Sequence, residues 1–362
     1  MKEKLSYFGF SLAVTLAALL GVALGLGWSS LLAMVVLILV EVTFSFENAV
    51  INAKVLRSLS ETWQKLFLTV GILIAIFGMR VVFPILIVVL TAGLPWHEVL
   101  DLALHNPDLY AEKLTSAHHI IAAFGGGFLL MLFFHFFFDK NKATHWIGAI
   151  ERPMQQASRS WVPVVLSLTV ISGLAALPAN HYAQDTLRAG LIGIGTYMAV
   201  RGLEQLFAWV KDRSANKKLA AADKMGDEKL AKAARGKVLK QTGWAAFSTF
   251  LYLEILDASF SFDGVIGAFA ITKSVILIAA GLGVGAVWVR SLTVYMVHKG
   301  TLDKYKYLEH GAHYTVGVLA AALLLGIFMH VPEAVAGLAG VTFVGSAFIS
   351  SRRQHKRELA AS

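Results

Sequence analysis

Two short stretches place carboxylates where apolar residues otherwise dominate. The first, "EVTFSFENAV", carries Glu41, Glu47 and Asn48; the second, "DASFSFDGVI", carries Asp257 and Asp263, with Glu254 just before it. In each, two acids six residues apart enclose Phe-Ser-Phe, so Ser45 and Ser261 occupy equivalent places. Carboxylate, amide and hydroxyl oxygens are hard donors that suit Mg²⁺, Ca²⁺ or Mn²⁺ rather than copper or zinc. The predicted ligand set is Glu41, Glu47, Asn48, Asp257 and Asp263, with Ser45, Ser261 and Glu254 as additional donors. The same acids could instead carry coupling protons. The chain has no cysteine, so thiolate ligation and disulfides are excluded.

A charge at the centre of a bilayer costs at least ~2.5–3.5 kcal/mol on insertion scales. The span after each motif offers one partner: "GILIAIFGMR" ends at Arg80 and "GLGVGAVWVR" ends at Arg290. Two guanidinium groups neutralise two of the acids Glu41, Glu47, Glu254, Asp257 and Asp263; the others need protons, cations or water. The bland alternative makes every acid a structural brace, yet an excess of acid is a poor way to build a neutral one. On one straight helix, at about 100° per residue, Glu41, Ser45 and Asn48 share a face while Glu47 points about 120° away. Either the Ser-Phe-Glu-Asn segment unwinds, with Gly264 easing the same break in the second copy, or each helix sends one acid to a shared site and the other to an Arg.

The elements that must position these groups are long and apolar. Of the 362 residues, 57% are hydrophobic and 15% charged, with a mean hydropathy of +0.65. A soluble domain carries about 25% charged residues. Apolar runs near 5–26, 30–50, 66–92, 118–138, 161–179, 187–209, 243–265, 274–297, 311–330 and 332–350 are long enough for the ~30 Å hydrocarbon core. The sequence thus predicts an all-α, polytopic transmembrane bundle of about ten spans, nine if the Gly-rich last run does not cross. The first run exceeds the usual apolar length of a signal peptide and counts as a span.

Loop charges alternate. Residues 210–242 hold ten Lys/Arg against four Asp/Glu, whereas 93–117 is acidic. The positive-inside rule then puts both termini in the cytoplasm. The predicted divisions are an N-terminal half (1–209), a basic cytoplasmic linker (210–242) and a C-terminal half (243–362). The formal charge of +9 reflects those loops rather than a nucleic-acid partner.

The two motifs also carry an organisational message. They fall in the second and seventh spans, an odd number of crossings apart, so the copies run in opposite directions. That is the inverted repeat of many transporters, with the binding site near the midplane.

The pair "EVTFSFENAV" and "DASFSFDGVI", each followed by an Arg-bearing span, resembles the paired acidic motifs of the TerC-like integral membrane proteins. These belong to the LysE-type transporter superfamily, and the likeness is greatest to a longer-chain bacterial subgroup of unassigned function. It covers about half the chain. It implies metal-ion homeostasis, above all export of manganese, with the divalent cation as substrate and no permanent cofactor. Two positions depart from the usual pattern: Glu47 stands where Asp is typical, and Gly264 replaces Asn or Ser. The competing expectation is a membrane scaffold or stress-resistance partner in which acids and arginines are structural.

Lesser signals point away from enzymatic chemistry. There is no HExxH, nucleophile elbow or kinase signature, so no catalytic residue is predicted. His310 and His313 of "LEHGAHY" are expected to anchor at the membrane interface, and the aromatic run "FFHFFF" to face lipid.

Overall fold

The computed structural model describes residues 2–225, 241–329 and 331–361. Side chains of a few helical residues, Asp263 among them, lie outside the described set. The class is all-α. Among the described residues there is no strand, only one isolated bridge between Leu59 and Gln241 that holds the end of the first motif helix against the start of the second.

In chain order the helices are α1 (Lys2–Gly25), α2 (Trp28–Phe44), α3 (Phe46–Leu56), α4 (Glu61–Leu73), α5 (Phe83–Ala92), α6 (Trp96–His105), α7 (Pro107–Ser116), α8 (His118–Phe137), α9 (Gly148–Gln156), α10 (Val162–Ala176) and α11 (Ala183–Met225). They continue with α12 (Gly243–Ile271), α13 (Val275–His298), the short α14 (Thr301–Lys304), α15 (Leu308–Leu325) and α16 (Glu333–Ala361). The basic stretch expected to be a linker is helical up to Met225; residues 226–240 lie outside the described ones.

Five helical stretches among the described residues are long and apolar enough to cross a bilayer: Tyr7–Gly25, Glu61–Ala92, His118–Phe137, Val275–His298 and Leu308–Leu325. Ser30–Thr43 with Phe46–Leu56 makes a sixth if that bent pair is one span. Three of the other four runs read as spans differ visibly from these. Helix α10 is only 15 residues long, α12 carries three acids, and α11 runs on from an apolar half into a charged one. Leu16, Leu20 and Leu24 of α1 are 60%, 60% and 80% exposed, a row of apolar side chains that water would penalise and lipid would not.

Two local distortions matter for the site. Helix α2 ends at Ser45 (φ −106°, ψ 16°), and α3 leaves at 49° to it. The break is narrow: Ser45 N still donates to the Glu41 carbonyl at 3.0 Å, and Ala49 N to the Ser45 carbonyl at 3.2 Å. Between α4 and α5 the backbone widens into a π-helix over Ile74–Val82. Pro84 follows at once; its ring crowds the carbonyl four residues back, that of Arg80, and widening the helix relieves the clash.

Three apolar clusters hold the bundle, and two of them flank the motifs. One gathers Met34, Leu37 and Ile38 of α2, Val265 and Phe269 of α12, and Leu282 of α13. The other gathers Ala49 and Val50 of α3, Leu256 and Phe260 of α12, Val289 of α13, and much of α8 and α15. Each motif lies where its helix passes from one cluster to the other.

Candidate cation site where the two acidic motifs meet

Close packing of α2 on α13 sets the geometry. A side chain at Gly285 of α13 would collide with Cβ and Cγ of Glu41, so the missing Cβ lets the Glu41 stem lie flat on α13. Glu41 is 5% exposed and Arg80 2% exposed, and the Arg80 guanidinium donates to Glu41 Oε1. It also donates to the Ala75 carbonyl at 2.5 Å and to Ser261 Oγ at 3.4 Å. Ser45 Oγ adds a further donor to Glu41 at 3.2 Å. The π-helical stretch carries Arg80 into this pocket, and the side chain folds back on its own backbone there.

The second copy is built with a different acid as anchor. Arg290 forks onto Glu254, with Nη1 to Oε1 at 3.2 Å and Nη2 to Oε2 at 3.1 Å, and reaches Asp257 Oδ2 at 3.4 Å. Its guanidinium also donates to the Phe67 carbonyl at 2.9 Å and stacks over the Phe67 ring at 4.1 Å. Charge, bidentate geometry and aromatic face are all used, which is why Lys could not replace it. Gly71 of α4 leaves the room this fork occupies.

The motifs are joined directly. Asn48 Nδ2 of α3 donates to Asp257 Oδ1 of α12 at 2.6 Å, across 209 positions of sequence. The two motifs thus meet through two sets of polar contacts, Ser45–Glu41–Arg80–Ser261 and Asn48–Asp257–Arg290–Glu254, each with side chains from both motifs. The break allowed for in the first motif is there, confined to Ser45. The matching break at Gly264 is not: α12 runs uninterrupted from Gly243 to Ile271, since Arg290 and Asn48 reach Asp257 without any unwinding. Asp263 lies on that helix, and its side chain is outside the described residues.

Glu47 stands apart. It is 3% exposed, its Oε2 has no hydrogen-bond partner, and it lies against Gly340 of α16. Asn48 Oδ1 and Asn52 Oδ1 are likewise buried without a partner. Helix α3 therefore presents three uncompensated oxygens, a costly arrangement unless something else binds them. Among the described residues no three His, Asp or Glu side chains converge closely enough to hold a metal ion, so any such site needs amide, hydroxyl or backbone oxygens as well.

A family model, described as a protein of unknown function (DUF475), matches residues 46–358. The chain belongs to the DUF475 family. The DUF475 match takes in Glu47, Asn48, Arg80, the whole second motif and Arg290, while Glu41 precedes it. Neither the curated proteins nor the solved structures offer a match.

Reading the DUF475 sequence missed two features. Asn52 lies one helical turn after Asn48, a spacing that could have flagged it. The other is a buried network around Glu151 of α9, which accepts from Lys142 Nζ at 3.1 Å and from the backbone N–H groups of Trp146 and Ile147 at 3.2 and 3.1 Å. His310 Nδ1 lies 2.8 Å from Glu151 Oε2 without hydrogen-bond alignment. No local pattern in "GAIERPMQQ" announces this, because its partners come from a loop and from α15. It also corrects the interfacial reading of the histidines: His310 and His313 are 2% and 6% exposed, and His313 stacks on Phe136 at 3.7 Å. The aromatic run accordingly packs inward at Phe136 and Phe137 instead of facing lipid throughout.

Proposed function

We propose that this chain is a multi-pass inner-membrane transporter that exports a divalent metal cation through the acidic network. Manganese is favoured by the resemblance to TerC-like proteins, and Mg²⁺ or Ca²⁺ fit the same hard oxygen donors. The observation that carries the reading is the trio of buried, unpartnered oxygens on α3: Glu47 Oε2, Asn48 Oδ1 and Asn52 Oδ1. Arginine accounts for Glu41, Glu254 and Asp257 and leaves Glu47 without a counter-charge. A carboxylate kept that way inside a membrane bundle is a functional group by default.

The proposal includes about ten spans, cytoplasmic termini and two halves related by an inverted repeat. One feature supports the inversion. The α2–α3 segment passes from the Leu37 cluster to the Ala49 cluster, while α12 passes between the same two clusters in the reverse order. The Arg pairings support the repeat itself, since each Arg serves an acid of the motif preceding it.

A second reading, a membrane scaffold or stress-resistance partner, is favoured by how completely the ion pairs close. Metal flux into proteoliposomes separates the two. Wild-type protein is expected to carry Mn²⁺, Mg²⁺ or Ca²⁺, and a correctly folded Glu47→Gln variant to carry none. Absence of flux for all three ions in the wild type would leave the scaffold.

A further inference from the structure

A second polar feature lies away from the acidic network, where the end of α8, the start of α10 and the middle of α11 enclose a crevice of about 440 Å³. Three cations line it, Lys140, Arg159 and Arg201, against the single acid Asp139. Asp139 Oδ1 is engaged by the backbone N–H of Asn141 at 2.9 Å, which blunts its competition for those cations. Helix α10 begins at the crevice without a side-chain cap, and Pro163 and Val164 of its first turn contribute to the wall. The Val162 N–H is taken by the Arg159 carbonyl at 3.0 Å and Pro163 has none, so what α10 adds to the cationic character is the positive end of its dipole.

The crevice is preformed. Ser158 Oγ donates to the Phe138 carbonyl, and Gln155 Nε2 donates to the carbonyls of Lys140 and Lys142 at 3.1 and 2.8 Å. The loop bearing Lys140 is thereby fixed against α9 and the turn before α10.

What surrounds the crevice names the source of the anion. On the same two helices, Val165 of α10 and Met198 and Leu206 of α11 are 44%, 47% and 52% exposed, which leaves apolar surface near the cations. Trp161, 55% exposed, stands at the lip, the side chain typical of headgroup depth. A free phosphate would have no use for that apolar face, whereas an acyl chain would cover it. We infer that this crevice binds the phosphate of an acidic phospholipid, with Lys140 and Arg159 holding the headgroup and the chains lying along α10 and α11. The inference needs the bundle to sit in a bilayer and does not depend on transport.

The test uses the full chain purified in detergent, with phosphatidylglycerol, phosphatidylcholine or inorganic phosphate added, read by native mass spectrometry and thermal melting. Phosphatidylglycerol is expected to remain bound and to raise the melting temperature, with phosphatidylcholine and millimolar phosphate doing neither. Lys140 and Arg159 are exposed, so K140Q/R159Q should melt like wild type without lipid yet bind phosphatidylglycerol roughly thirtyfold more weakly. The charge-preserving K140R/R159K should bind as wild type does. Equal stabilisation by phosphatidylcholine, saturation of the effect by inorganic phosphate, or unchanged binding by K140Q/R159Q would each overturn the assignment.

Discussion

Asn48 of α3 and Asp257 of α12 are hydrogen-bonded at 2.6 Å, which makes the two acidic motifs a single structure. Asp257 also accepts from Arg290, so the amide is one of its two supports. Replacing Asn48 by Ala removes a donor to a buried carboxylate, and a loss of about 1–3 kcal/mol is expected. Asn48→Asp should cost more than Asn48→Ala, because two carboxylates would then face one another. Thermal melting in detergent ranks the two, and a neutral Asn48→Asp would refute the contact.

Glu41 and Arg80 form a buried pair whose halves depend on each other. Glu41→Gln or Arg80→Gln alone strands a charge and should cost about 3–5 kcal/mol. The double variant should recover most of that. A double-mutant cycle measures the coupling, and losses that simply add would show the two charges to be independent.

Glu47 should behave in the opposite way. Its Oε2 has no hydrogen-bond partner, so Glu47→Gln is expected to leave the melting temperature unchanged or raised while metal flux falls to background. Loss of stability together with flux would mean that the carboxylate supports the fold.

One substitution at two glycines should give contrasting results. A Cβ at Gly264 would meet Glu41 Oε2 at 3.8 Å, an ordinary contact, so Gly264→Ser should fold normally. A Cβ at Gly285 would lie 2.6 Å from Glu41 Cγ, and Gly285→Ser should push α13 off α2 at a cost of about 1–3 kcal/mol. Yields of folded protein and melting curves for the pair check both outcomes.

Glu151 gives the chain a defined acid sensitivity. Burial raises its pKa, but the His310 ring, the Ile147 N–H and Lys142 outweigh it and hold the carboxyl at about 2, below its ordinary 4.5. Between those values the unfolded chain binds the proton more readily, so stability rises with pH across that window. The Glu151 contribution is complete above about pH 4.5 and is lost as pH falls toward 2. Urea unfolding followed between pH 5 and 2.5 should show that slope in wild type and a shallower one in Glu151→Gln.

How much of this was legible follows from the range of the interactions. The all-α class, the apolar stretches, both motifs and the Arg after each one are local patterns of residue type, readable from composition and spacing. Helix periodicity raised a break near Ser45 as one of two solutions, because Glu41 and Glu47 cannot share one face of a straight helix, and the bundle breaks at Ser45 alone. The choice of partners was not readable. Arg290 could have taken either Glu254 or Asp257, and it takes both because Gly71 leaves the room. Gly264 looked like a hinge, yet α12 runs unbroken through it, with Arg290 and Asn48 reaching Asp257 from outside. Nothing local marks Glu151, because its partners come from a loop and from α15. Residue types and their periodicity are written along the chain, whereas the pairing of buried charges is set by which backbones approach closely enough, and only the packed bundle decides that.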